Sequence, residues 1–182
     1  MQDTTVNGLR ASIRALEDVI APAIDASNPL AVEQLRMVRA YLALVADRLS
    51  LRHDRLRHQA TGLLELGRVV LPNAAACGDS LAHALQGAID RVAAATAAID
   101  TPEDELVRSG TALAAAVSAL VRECAVQDPK TRDTVERAVL QASGAWIDVE
   151  RAWFAPLGFD HEAKSLPPLG RLLQPQASKE TR

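Results

Sequence analysis

The sequence predicts an all-α protein, a five-helix antiparallel bundle built on one long helix and followed by an irregular tail. Three observations predict it. Apolar residues make up 48% of the 182-residue chain but aromatic residues only 3%, and a large share of the rest is alanine, which favours helix and close helix packing. Strand-forming residues never gather into alternating runs. Finally, leucines recur every seven residues at Leu35, Leu42, Leu49, Leu56 and Leu63, with Val70 next in the series, the spacing of a continuous apolar seam on one helix.

The first helix is expected over about residues 5–26. Val6, Leu9, Ile13, Leu16, Ile20 and Ala23 fall at alternating spacings of three and four and make one apolar face. Pro22 lies inside that pattern, where a missing backbone donor and a bulky ring kink or loosen the last turn.

The long helix spans about residues 29–71. Asn28 suits the N-cap and Pro29 the first helical position. A break near Ser50 is the competing reading, but the leucine phase passes from Leu49 to Leu56 without a shift, which favours continuity and a length of roughly 60 Å. A second phase, Val38, Val45, Arg52, Gln59 and Leu66, is apolar at both ends and polar in the middle. Leu71-Pro72-Asn73 is read as the stop.

The third helix, about 79–99, presents Leu81, Leu85, Ile89, Val92 and Ile99. Thr101-Pro102-Glu103-Asp104 combines a capping threonine, a first-turn proline and acids that suit the helix dipole. It opens the fourth helix, about 102–126, which carries Leu106, Leu113, Val117, Leu120 and Cys124. Asp128-Pro129 repeats the start signal for the fifth, about 129–155, with Val135, Val139, Ala142, Trp146, Val149 and Trp153 on one face. From residue 156 onward Pro156, Gly158, Pro167, Pro168, Gly170 and Pro175 forbid a long helix. The polar end of this tail, residues 177–182, has the composition of a disordered terminus, while its leucines between Leu166 and Leu173 either drape over the bundle or dock on a partner.

Helix lengths then suggest an arrangement. The first and third helices are each about half as long as the long one, so short turns lay the first against residues 28–50 and the third against residues 52–71. The second half of the long helix can close a four-helix bundle with the three helices that follow it. The first helix and the first half of the long one remain as a hairpin too thin to be secure alone. Either the fourth and fifth helices tilt to cover it, or a second copy of the chain does. The expected remedy is a homodimer through Leu35, Val38, Leu42, Val45 and Leu49, with a protein partner as a further possibility.

Composition narrows the function classes. A net charge of −3 argues against a general nucleic-acid binder. Seventeen of the twenty basic residues are arginine, the mark of a GC-rich bacterial genome more than of chemistry. Cys77 and Cys124 lack metal or disulfide-framework spacing and fit a reducing cytoplasm. The start of the chain lacks a signal-peptide pattern, and no uncharged stretch reaches membrane-spanning length. The expected setting is cytoplasmic.

One polar cluster stands out. Arg48, Arg52, Arg55 and His58 occupy the interrupted part of the seam, where guanidinium forks can bind a phosphate or carboxylate. The plainer reading is a solvated or intersubunit face. Asp54 with His58, and Asp79 with His83, have the four-residue spacing of paired metal ligands, but the hairpin register sets the two pairs well over 10 Å apart, and no Glu-x-x-His pair is present. No metal site is assigned. Cys77 before a helix start is read as part of a packed small-residue turn and Cys124 as core. Gly-rich phosphate loops and catalytic-triad signals are lacking, so no catalytic residue and no cofactor is assigned.

Val19-Ile-Ala-Pro-Ala-Ile24, followed by the stretch from Leu35 to Leu51 with Ala43-Leu-Val-Ala-Asp-Arg-Leu49, resembles the start of a family of small, uncharacterised bacterial helical proteins. These are encoded beside acyl-CoA dehydrogenases and phosphotransferase-like enzymes. The resemblance covers about the first third of the chain, departs from it at Arg48–His58, and implies an accessory role near acyl-CoA metabolism. The reading as a whole is a non-enzymatic interaction protein. The alternative is a binder of an anionic, CoA-like small molecule, or an enzyme acting on one, at the arginine cluster.

Overall fold

Alanine-rich, amphipathic segments separated by proline and glycine become helices here, and among the described residues there is no strand. The structure is a computed structural model that describes residues 4–124, 126 and 129–174. Its helices are α1 (Thr4–Ala15), α2 (Ala21–Ala23), α3 (Pro29–Arg48), α4 (Arg52–Ala74), α5 (Asp79–Ala97), α6 (Glu103–Cys124), α7 (Pro129–Phe154) and α8 (Leu169–Leu172). No helix among the described residues is long and apolar enough to cross a membrane. The chain divides into two compact units. One comprises the chain up to Arg52 with Glu150–Pro167, the other His53–Val149 with the segment from Pro168 on.

In the first unit α1 packs against α3. Between α1 and α2 the helix widens into a π-turn, Leu16–Ile20, directly before Pro22. The proline ring would collide with the carbonyl four residues earlier, and a wider turn relieves that clash without ending the helix. Asp25 then organises the connection by accepting from the Ser27 amide at 2.8 Å and its hydroxyl at 2.7 Å, and these bonds hold the exposed carboxyl below its ordinary pKa. Asn28 Oδ1 accepts from the Ala31 amide at 3.1 Å and Pro29 opens α3, the cap expected of this pair. Glu17 in the π-turn pairs with Arg39 on α3. Farther along, the 3-10 turn Ala155–Leu157 packs on α3, and Gly158 reverses the chain with φ of 78°. Arg151 grips Asp160 beyond that turn, Nε to Oδ2 at 2.7 Å and Nη2 to Oδ1 at 3.3 Å.

The long helix is interrupted. A 3-10 turn, Leu49–Leu51, separates α3 from α4, and the chain passes from one unit to the other just after it. Arg48 marks the change with φ −99° and ψ −9°. The leucine spacing could not reveal this, because a three-residue 3-10 turn leaves the residue count intact while breaking the i→i−4 ladder. The seam therefore serves two units: Leu35, Leu42 and Leu49 in the first, and Leu56, Leu63 and Val70 in the second.

Nor does the helix stop at Leu71-Pro72-Asn73. It runs on to Ala74, with Pro72 inside, and a 3-10 turn carries it to Cys77 before Gly78, at φ 131°, ends it. Pro72 and Arg68, whose carbonyl loses its usual donor, both lie on the exposed face, so water can take over the missing bond.

The second unit holds the main core. Ala60, Leu64, Leu66 and Val70 of α4 meet Leu85, Ala88, Ile89 and Val92 of α5, Leu106, Leu113, Val117, Leu120 and Cys124 of α6, and Val135 of α7. Gly67 of α4 faces Ile89 and Leu113, and Gly62 lies against the Trp146 indole of α7. In the tail, Leu169 and Leu173 are buried. Two expected details change. Ile99 lies past the end of α5 and is 86% exposed, so it leaves the apolar face assigned to it. Thr101 does not cap α6. Its buried hydroxyl donates to the Ala95 carbonyl at 2.7 Å and the Ala98 carbonyl at 3.2 Å, satisfying the orphan acceptors at the end of α5. Asp128, the expected cap of the last helix, lies outside the described residues.

Candidate functional site

The four residues of the arginine cluster each have surroundings of their own. The Arg48 Nε lies 3.5 Å from the Trp153 carbonyl. Arg52 and Arg55 each have interactions of their own. His58 is half-buried, and burial pushes its pKa below the ordinary histidine value, with Glu65 opposing, which favours the uncharged ring and weakens its pull on an anion. Arg48 and Arg52 belong to the first unit, Arg55 and His58 to the second.

The neighbouring Arg57, not part of the expected cluster, makes two bonds to the end of another helix. Its guanidinium donates to the Ala98 carbonyl at 2.6 Å and to the Thr96 carbonyl at 2.7 Å, placing a fixed positive charge at the C-terminus of α5, where the helix dipole is negative. Nothing in the local pattern distinguishes it from Arg55, because its partners are about forty residues away.

The five residues read as an interface lie on α3 and its last turn. Leu35, Leu42, Val45 and Leu49 are half-buried and Val38 is 46% exposed. Burial around them is sparse. No residue of α1 is buried, and α3 buries Leu44 alone. Large apolar side chains stay in solvent instead: Val19 and Ile20 in the π-turn, and Leu30, Val32, Val38 and Tyr41 on α3. Leu30, Val38 and Tyr41 fall at spacings of eight and three, which puts them on one helical face. Two of the acids nearby are paired, Glu33 with Arg36 at 2.6 Å and Glu17 with Arg39.

The second unit carries one further feature, a groove of about 310 Å³ between α4 and α6, lined by Leu56, Gln59, Leu63, Leu106, Val107 and Gly110 among others. It is apolar apart from Gln59 and Thr111. Gly110 and Ala114, one turn apart on α6, are among its small lining residues.

The two cysteines, expected separately as turn and core, are neighbours. Cys77 Sγ lies 2.6 Å from Cys124 Sγ, and neither is in a disulfide. Burial, the adjoining Cys77 thiol and the charge of Glu123 push the Cys124 thiol up to about 12. His83 is occupied locally, its Nδ1 lying 2.7 Å from the carbonyl of Asp79. Among the described residues no three His, Cys, Asp or Glu side chains gather as a metal site would need.

No protein family, curated protein or solved structure matches this chain. Its class is therefore defined by fold alone: an all-α protein with one well-packed helical unit and one sparsely buried unit, in which the α1–α3 hairpin is joined by Glu150–Pro167.

Proposed function

We propose that the chain works by association, pairing with a second copy through the exposed face of the α1–α3 hairpin and offering the assembled dimer to a partner protein. One observation carries the reading: two helices of this length bury a single residue, Leu44, while Leu30, Val38 and Tyr41 stand exposed on one face. A second copy is the occupant that fits. Two hairpins related by a twofold axis bring identical apolar faces together and complete a four-helix arrangement. Glu33 with Arg36 and Glu17 with Arg39 are already paired within each copy, which lessens the repulsion between like charges across the twofold axis. A hairpin about 30 Å long and about 20 Å across covers roughly 600 Å² per copy, near the lower limit for a stable interface.

The alternative, an anionic or CoA-like ligand at Arg48, Arg52, Arg55 and His58, draws less support, because these donors are already engaged and His58 favours its neutral form. Solution mass by light scattering over a concentration series tests the proposal. Val38→Asp with Tyr41→Asp changes two side chains exposed in the single chain, so the fold should survive while a dimer dissociates. A wild type that stays monomeric at the highest concentration would refute the reading.

A further inference from the structure

We propose that Cys77 and Cys124 form a peroxide-responsive thiol pair, closing to an intrachain disulfide that staples the turn before α5 to the last residue of α6. The geometry points to it. The two sulfurs stand 2.6 Å apart, between ordinary sulfur contact and the bond length of about 2.05 Å. They come from residues 47 positions apart in sequence, brought together because α5 and α6 run back along one another, with the turn Ala75–Cys77 packed on α6. Cys124 belongs to the core and Cys77 packs against it from the partly buried rim, and at 2.6 Å no group stands between the sulfurs.

The two thiols differ in access, and this assigns their roles. Cys77 is half-buried and sits on a 3-10 turn beside Gly78, whereas Cys124 is 1% exposed. Burial also raises the Cys124 pKa far above neutrality, which leaves Cys77 as the thiol that meets an oxidant and Cys124 as the one that resolves it.

With hydrogen peroxide the steps balance. The Cys77 sulfur, having lost its proton, attacks one peroxide oxygen. The O–O bond breaks, and the departing hydroxide takes up that proton to give water and a sulfenic acid on Cys77. The Cys124 sulfur then attacks the Cys77 sulfur, the S–O bond breaks, and the hydroxide released combines with the Cys124 proton as a second water. Two thiols lose two electrons and the peroxide gains them.

The staple would hold one end of the second unit. It closes the whole of α5 and α6 into a covalent loop, which restricts the unfolded chain more than the folded one. Oxidation therefore raises the melting temperature without requiring any helix to move.

The test treats the full-length reduced chain with hydrogen peroxide, and in parallel with diamide. The expected result is a mass lower by two hydrogens, no thiol left to titrate in denaturant, a peptide map joining Cys77 to Cys124 of the same chain, and a higher melting temperature that dithiothreitol reverses. In Cys124→Ala, peroxide should leave Cys77 as a sulfenic acid that dimedone traps; in Cys77→Ala, Cys124 should stay reduced. Two titratable thiols after both reagents would overturn the proposal, as would cross-links formed between chains in place of the internal one. Should an alanine variant fail to fold, the mass and peptide map of the wild type decide alone.

Discussion

Replacing Gly62 by alanine should destabilise the chain, although the same change inside a helix ordinarily does the opposite. An exposed helical glycine gains about 0.5–1 kcal/mol on becoming alanine, through the lower entropy of the unfolded chain. At Gly62 a Cβ would fall within the van der Waals envelope of the Trp146 indole, with Nε1, Cε2 and Cδ1 all in its way. The ring is rigid, so it must swing as a whole. Overpacking of this kind costs about 1–3 kcal/mol, most at a rigid ring, and subtracting the helix gain leaves a net loss centred on about 1 kcal/mol and reaching about 2.5 kcal/mol. Gly144, also helical but with nothing within 4 Å of the place its methyl would occupy, is the internal control and should gain about 0.5 kcal/mol or more as alanine. Urea unfolding followed by circular dichroism gives both numbers, and tryptophan fluorescence, reporting on two indoles only, should shift to the red in Gly62→Ala as Trp146 is displaced. The decisive step is a double-mutant cycle. In a Trp146→Leu background the obstacle is gone, so Gly62→Ala should become neutral or stabilising. If Gly62→Ala is as stable as the wild type with unchanged emission, or equally harmful without the indole, the packing argument fails.

Two further outcomes follow from the same unit. Arg57→Ala removes two charge-assisted bonds to the end of α5 and should lower stability by about 1–2 kcal/mol, with Arg57→Lys restoring only part because one ammonium cannot reproduce the planar fork; a change under about 0.3 kcal/mol in urea unfolding, the size of a neutral surface substitution, would count against the assignment. His58 has a folded pKa depressed by burial, so the unfolded chain binds its proton more readily. Its contribution is thus complete above the unfolded value of about 6.5 and is lost as pH falls toward the folded value. Melting temperatures measured from neutral to mildly acidic pH should decline less steeply in His58→Gln than in the wild type; identical slopes would assign the acid sensitivity elsewhere.

Much of the fold was legible because it is local. Asn28 and Pro29 open α3 by satisfying and omitting donors within a single turn. Leu106, Leu113, Val117, Leu120 and Cys124 of α6 are all buried as their spacing implied. Pro72 and Thr101 were misread for a different reason. A proline stop and a threonine cap are local preferences that solvent exposure and a neighbouring helix end can override. The candidate site was less legible still. Arg48, Arg52, Arg55 and His58 share a helical stripe, yet what each contributes depends on partners elsewhere, such as the Trp153 carbonyl for Arg48.

By itself, then, the sequence determined the all-α class, the start of α3 and the inward face of α6, since these follow from backbone propensity and a period of 3.6 residues. Only the tertiary structure decided which distant groups meet: Arg57 with the end of α5, Gly62 with Trp146, Cys77 with Cys124, and the break at Leu49–Leu51 that divides one leucine seam between two units. The physical reason is register. A seven-residue repeat looks the same after every two turns, so it states which face packs but not against which turn of its neighbour. That choice is made where the chain reverses, at Gly78 and at the Thr101 link, by a few backbone angles and hydrogen bonds that no periodicity encodes.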